Sequence, residues 1–250
     1  MSNASTDEPD EIFDTTQYRT LVVLCTYNEV GNIAIMVEAL HKSLPNADIV
    51  VVDDNSPDGT SDWVKRQQEN DSQLHLIHRP GKLGLGTALR DAIAWCLDRE
   101  YDYLINLDAD LSHDPATAPL LLQETVQKQL DIVAGTRYRD GGGSPGLPFH
   151  RKLISRSLNI YATRILRLPI SDCSGSFRCY RVSKLRELEL QELACPGYGF
   201  LEEILVALRR KGAAFGEVPI VFDCRHAGES KLSFSDAMGA IKVIHRLAFR

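Results

Sequence analysis

Five short apolar runs, separated by segments of helical or polar character, constrain this chain more than any other feature. Thr20–Leu24 (TLVVL), Ala47–Val52, Leu74–His78, Leu104–Leu107 and Asp131–Gly135 have strand length and are rich in β-branched residues. Between them, apolar residues recur at helical spacing: Ile33, Met36/Val37, Leu40 and Leu44, then Leu85, Ala88/Leu89, Ala92/Ile93 and Cys96/Leu97. A continuous rather than alternating apolar strand such as Ala47–Val52 belongs in a sheet covered on both faces. The pattern predicts an α/β chain with a mostly parallel, doubly wound central sheet and helices on both faces.

Three of these runs end in polar clusters: Thr26-Tyr27-Asn28-Glu29, Asp53-Asp54 and Asp108-Ala109-Asp110. In such a sheet the carboxyl ends of the strands lie along one edge, where ligands bind. Asp108 and Asp110, two apart on extended backbone, point to the same side and can share one hard cation. A strand–turn–helix corner with solvated acids, in which Asp114-Pro115 is the N-cap and first helical residue, accounts for the same stretch. A nucleoside at this edge could use Asp53 or Glu29 to accept from base or ribose donors, and a metal on Asp108 and Asp110 would bridge a diphosphate. The turn-rich loop Asp53–Thr60 is expected to cap the next helix through Thr60 or Ser61. The glycines of Gly81–Gly86 fit neither the dinucleotide nor the Walker spacing and read as a tight turn into a helix.

Beyond residue 138 the pattern changes. Arg139–Pro148 is a Gly/Pro-rich stretch expected to form a mobile site loop. His150–Leu168 reads as a basic helix with Ile154, Leu158, Tyr161, Ile165 and Leu168 on one face. Ser176–Arg181 reads as a strand, Phe200–Leu208 as a helix, and Ala214–Phe222 as a strand in which Pro219 marks an edge or bulge. Phe234, Ala237/Met238, Ile241, Ile244 and Ala248 then form an apolar stripe on a basic terminal helix, which would either dock on its own domain or lie in a membrane interface.

Charge is divided unevenly. Residues 1–127 hold 8 Lys/Arg against 22 Asp/Glu (−14), and residues 128–250 hold 20 against 12 (+8). Five of the early acids (Asp7, Glu8, Asp10, Glu11 and Asp14) sit in a tail without apolar periodicity, expected to be disordered over residues 1–17. The remainder suggests an acidic half that holds a cation and a basic half that holds an anion or faces lipid phosphates. Neither an overall basic surface nor an RNP-type aromatic motif is present, which argues against nucleic acid. No stretch approaches the roughly 20 apolar residues of a membrane span, and the acidic N-terminus is unlike a signal peptide. Six scattered cysteines without CxxC or zinc spacing fit a reduced, cytosolic chain.

The ordered series CTYNE, VVDDNSPDGT, KLGLGTA, DADLSHDP, GTRY, RKLISRSLN, SGSFRCYR, GYGFLEEIL and EVPIVFDCRHAGESK resembles the dolichyl- or polyprenyl-phosphate mannosyltransferases, inverting family 2 glycosyltransferases, over about Thr20 to Leu232. The resemblance implies a GT-A (Rossmann-like) domain over residues 18–232, followed by an amphipathic helix over 233–250. It also implies that mannose moves from GDP-mannose to a polyprenyl phosphate with Mg²⁺ or Mn²⁺. By matching positions, Thr26, Tyr27, Glu29, Asp53 and Asp54 would hold the nucleoside. Asp108 and Asp110, with Ala109 and the Ser112 region beside them, would hold the metal and diphosphate. Arg137, Arg151 and Ser155 would grip the acceptor phosphate, and Arg225 and Lys231 would close on the donor. Of these, Asp110, Arg137 and Arg151 are the catalytic candidates. The expected setting is the cytoplasmic face of a membrane, with peripheral attachment and room for a membrane-anchoring partner protein. Cys25 stands where the family usually has Pro, Ser174-Gly175-Ser176-Phe177 replaces a Thr-Ser-Gly-Phe type, and Leu201 replaces a common Gln; the last two bear on sugar selectivity. Transfer of glucose from UDP-glucose is the nearest alternative. A phospho-receiver also begins with an acidic pair like Asp53-Asp54, but here a complete strand–helix unit precedes that pair, and a second acid follows Asp108.

Overall fold

The computed structural model describes residues 13–195, 197–223 and 234–249. Its strands are β1 (Thr20–Thr26), β2 (Asp48–Asp53), β3 (Leu74–His78), β4 (Tyr103–Asp108), β5 (Ile132–Thr136), β6 (Arg178–Arg181) and β7 (Phe215–Pro219). Its helices are α1 (Val30–Ser43), α2 (Thr60–Gln68), α3 (Leu85–Leu97), α4 (Ala118–Gln127), α5 (Phe149–Ile165), α6 (Val182–Leu185), α7 (Phe200–Arg210) and α8 (Phe234–Ala248). The seven strands form one sheet in the order β3-β2-β1-β4-β6-β5-β7. Every pairing is parallel except those of β6, which is antiparallel to both β4 and β5.

Alternation along the strands builds two cores. Leu21 and Val23 of β1 and Val50 and Val52 of β2 pack on one side with α3, α7 and the buried part of α8. Val22, Leu24, Ile49 and Val51 pack on the other with α1 and α4. These strands are continuously apolar because both faces are covered. Pro219, with no N–H to donate, ends the edge strand β7. Residues 1–12 of the expected tail lie outside the described residues; in its last part Asp14 caps a 3-10 turn over Thr15–Gln17, and Phe13 stacks on Tyr18. Neither Thr60 nor Ser61 caps α2. Gly59 occupies the N-cap in the left-handed region, and the Asp58 carboxylate accepts the Thr60 N–H.

The helix after Pro148 is turned differently from its apolar periodicity. Ile154 and Ile165 are exposed, while Asn159, Ala162 and Thr163 are buried. The cause is polar: the Asn159 Oδ1 accepts the Cys173 N–H at 2.9 Å, which fixes this side of α5 against the loop before β6. The terminal helix docks on its own domain, with Ile244 and Leu247 buried in the first core. Arg178 of β6 is fully buried and donates to the carbonyls of Leu201 (2.7 Å) and Cys173 (2.6 Å), tying α7 and the same loop to the sheet centre.

At Gly86 the backbone of α3 meets the segment before α7, and a Cβ there would overlap the Cys195 carbonyl oxygen and crowd Phe200. Gly86→Val is therefore expected to cost about 1–3 kcal/mol by overpacking. Urea unfolding of the variant checks this; unchanged stability would contradict the close approach.

Candidate active site

Thr26, Asp53 and Asp108 lie at the ends of three neighbouring strands: Thr26 pairs in register with Asp53, and Cys25 pairs with Asp108. The loops that follow each contain a non-glycine residue in the left-handed region, namely Asn28 (φ 63°), Asn55 (φ 58°) and Leu111 (φ 62°). Asn tolerates this conformation, whereas Leu is strained by about 1–3 kcal/mol.

Asp53 is fully buried, and its carboxylate accepts from the Thr26 hydroxyl (2.8 Å), the Ser56 N–H (2.9 Å) and hydroxyl (2.5 Å), and the Ser61 hydroxyl. Burial works to raise its pKa, but the bonds from Ser56, Ser61 and Thr26 outweigh burial and hold the carboxyl below the usual range. The loop so held reaches back to β1. The Ser56 hydroxyl accepts the Asn28 N–H, the Asp58 carboxylate accepts the Val30 N–H, and the Thr60 hydroxyl accepts the Glu29 N–H. Asp54 fastens the next loop. It pairs with buried Arg79 at 2.7 Å and accepts the N–H groups of Leu83 and Gly84. The glycine run is thus a turn into α3, as expected, but one anchored to Asp54, the acid that follows β2. Lys82 from this turn sits 4.0 Å above the Tyr27 ring.

The side chains of Tyr103, Ile105 and Leu107 on β4, and of Ala109 just beyond it, all pack into the second core. Alternation along the strand directs Asp108 away from that layer, whereas Asp110 lies past the strand end, in a turn rather than on the extended backbone expected from the sequence. Asp108 is partly exposed, with the His113 Nε2 3.7 Å away, and His113 is wedged between Phe177 and Phe222. Asp110 accepts the Ser112 N–H at 3.0 Å. Among the described residues no group of three or more His, Cys, Asp or Glu is arranged to hold a metal unaided, and a pair of carboxylates suits a hard cation that completes its shell with phosphate oxygens and water. Cys25, between these acids and Asp54, is kept neutral: burial and the carboxylates of Asp108 and Asp54 push its thiol up.

At the end of β5, Arg137 forms a bidentate pair with buried Asp172 (2.7 and 2.9 Å) and donates to the Ser174 hydroxyl. Burial opposes the charges of both, yet the pairing wins, raising the Arg137 pKa and lowering that of Asp172. Ser155 meets the Tyr138 hydroxyl at 2.8 Å, and Arg151 lies one turn before it on α5. Arg225 and Lys231 lie outside the described residues. Asp58, Arg79, Asp172 and Asn159 carry the framework but went unnoticed as site residues in the sequence, where nothing marks them beyond turn composition and a polar residue inside a helix.

The model of the family described as Glycosyl transferase family 2 matches residues 21–189. The chain is 38% identical over 215 residues to the undecaprenyl-phosphate mannosyltransferase of Micrococcus luteus, covering 86% of this chain and 88% of that protein. It is 36% identical over 224 residues to the polyprenol monophosphomannose synthase of Mycolicibacterium smegmatis, covering 89% and 84%. Among solved structures it resembles glucosyl-3-phosphoglycerate synthase from Mycobacterium tuberculosis in complex with Mn²⁺, UDP and phosphoglyceric acid (TM-score 0.69, 17% identity, 92% and 78% covered). It also resembles the mannosyltransferase PcManGT from Pyrobaculum calidifontis in complex with GDP-Man and Mn²⁺ (TM-score 0.60, 16% identity, 97% and 73% covered). At such identities these two likenesses speak for the GT-A fold alone.

The depressed Asp53 pKa has a pH consequence. Its contribution to stability is full above the unfolded value near 4 and is lost as pH falls through the lower folded value. Asp53→Asn is expected to cost about 1.5–3 kcal/mol at pH 7, with the gap to wild type closing in strong acid. Urea unfolding across pH measures it; a gap independent of pH would contradict the assignment.

Proposed function

Since the chain belongs to glycosyl transferase family 2, we propose that it transfers mannose from GDP-mannose to a polyprenyl phosphate, with inversion at the sugar carbon. The observation that supports this reading is the edge at which Asp108 of β4 and Asp110 of the turn after it stand beside the bonded loops of β1 and β2, while Arg137 and Ser155 stand across β6. The relatives that cover most of the chain are named for this lipid-phosphate chemistry.

The acceptor is a phosphate monoester whose second pKa near 6 leaves it largely dianionic at neutral pH. It is already a nucleophile, so the chain has no need of a strong general base. The residues have to hold two anions in line and stabilise the departing diphosphate. Tyr27, Glu29 and the loops fixed by Asp53 and Asp54 position the nucleoside. Asp108 and Asp110 would hold Mg²⁺ or Mn²⁺, which supplies positive charge to the leaving diphosphate. Arg137 and Arg151 hold acceptor phosphate oxygens, and a planar, permanently charged guanidinium suits that task better than an ammonium.

The acceptor's lipid tail requires a membrane surface, and α5 offers one. Phe149, Leu153, Ile154, Ile160 and Ile165 are exposed on this helix. Residues 141–171 hold five Lys/Arg and no Asp/Glu. Apolar side chains flanked by cations alone suit peripheral attachment to an anionic leaflet. No helix among the described residues is long and apolar enough to cross a membrane. In this reading α5 takes over the membrane-facing role that the terminal helix could have filled, since α8 packs its buried residues against the domain.

Asp110→Ala is expected to lower mannose transfer to polyprenyl phosphate at least 100-fold while the protein still folds, as a cooperative thermal unfolding transition shows. EDTA should do the same to wild type. Full activity in EDTA would contradict the metal role. Leu153→Ser with Ile154→Ser should reduce co-sedimentation with anionic vesicles several-fold without altering GDP binding; unchanged sedimentation would remove α5 from the membrane.

A further inference from the structure

The hydrogen bonds around Ser155 have a direction, and that direction is set from inside the protein. Asn159 is buried on α5, and its Oδ1 accepts both the Cys173 N–H (2.9 Å) and thiol (3.4 Å). This fixes which end of the amide is which, because a backbone N–H can only donate. The Nδ2 group therefore faces the Ser174 hydroxyl at 3.0 Å and the Tyr138 hydroxyl at 3.1 Å, with the Ser155 carbonyl farther off at 3.3 Å. Its two hydrogens go to the two nearer oxygens. The Tyr138 oxygen thus receives a hydrogen bond, and among the described residues Ser155 Oγ at 2.8 Å is the acceptor within reach of its own O–H; either hydroxyl can donate across this contact, and donation by Tyr138 is the arrangement that satisfies the phenol proton. Burial pushes the Tyr138 pKa up, against the pull of Arg137, so the phenol keeps this proton at neutral pH.

In that arrangement Ser155 Oγ accepts from Tyr138, and no other bond of the Ser155 hydroxyl is found among the described residues to take its hydrogen. We infer that the relay Asn159–Tyr138–Ser155 presents Ser155 as an outward hydrogen-bond donor to an anionic oxygen of the acceptor phosphate, with Tyr138 and Asn159 as positioning residues. The inference rests on the acceptor-phosphate reading above and names how that subsite is built. The same loop supports its other side. Ser174, which takes the second Asn159 hydrogen, also accepts from Arg137, whose guanidinium is held by Asp172. A single buried amide thereby orients two elements of the proposed cradle, the β5 end through Tyr138 and Ser174 and the α5 face through Ser155. A hydroxyl whose donor direction is set beforehand loses no orientational freedom when the phosphate arrives.

The relay makes a prediction that a merely structural role does not. Tyr138 acts on the phosphate only through Ser155, so its effect must vanish when Ser155 is absent. A double-mutant cycle of Tyr138→Phe and Ser155→Ala, read as initial rates over polyprenyl phosphate at saturating GDP-mannose, tests this. Each single variant is expected to raise the acceptor KM about 5- to 10-fold with kcat and the donor KM little changed, and the double variant should match Ser155→Ala alone. Asn159→Leu, close in size and unable to donate or accept, should raise the acceptor KM in the same way. Multiplicative effects in the double variant, or a donor KM that rises in step, would overturn the relay. A wild-type protein that transfers to no polyprenyl phosphate would instead overturn the parent reading and this one with it.

Discussion

The edge of the sheet depends on how Asp53 is held. A carboxylate with no exposure to solvent costs several kcal/mol unless its oxygens are satisfied. Here Thr26, Ser56 and Ser61 satisfy them. Those same bonds fix the loop whose Ser56, Asp58 and Thr60 receive the backbone N–H groups of β1's own loop. Asp54 extends the arrangement to the turn before α3. Asp53 at the end of β2 and Asp54 just after it therefore set three loops, beside which the end of β4 presents Asp108 and, in the turn that follows, Asp110. The left-handed Leu111 just beyond them packs against the second core, which holds a strained residue next to the proposed site.

The division of charge along the chain follows from the same geometry. The acidic half supplies β1 to β4, and the basic half supplies β5 to β7 together with α5. Antiparallel β6 stands between β4 and β5, so the two halves meet in the middle of one sheet. Arg178 on that strand is buried with its charge answered at a distance: Arg178 pulls down the carboxyl of Asp172 and opposes the burial that pushes Glu202 up to about 7. Acids on one side and arginines on the other are what a reaction between two anions needs, since the leaving diphosphate and the attacking phosphate each require their own positive charge.

Much of this was legible in the sequence because strand burial and strand ends leave strong local signals. The runs around Val22, Val51 and Ile105 are apolar on both faces, and the acids that end them are contiguous with those runs. The orientation of α5 was not legible. Its apolar residues outline a stripe through Ile154 and Ile165, but Asn159, bonded to a backbone group distant in sequence, turns that stripe partly outward. Periodicity reports what a helix could bury, and tertiary polar contacts decide what it does bury. The buried pairs Arg79–Asp54 and Arg137–Asp172 escaped for the same reason, since each joins residues 25 and 35 positions apart. The antiparallel direction of β6 was equally hidden, because a four-residue strand carries no signal of its partner.

The central claim is that the edge formed by β1, β2 and β4 receives a sugar nucleotide whose sugar then passes to a lipid phosphate. Initial rates on one polyprenyl phosphate with GDP-mannose, UDP-glucose and UDP-GlcNAc, each with and without Mn²⁺, test it most directly. A mannosyl lipid is expected from GDP-mannose in the presence of the metal, at a rate at least tenfold above either UDP sugar. Equal or faster transfer from a UDP sugar, or release of mannose to water with no lipid product, would contradict it.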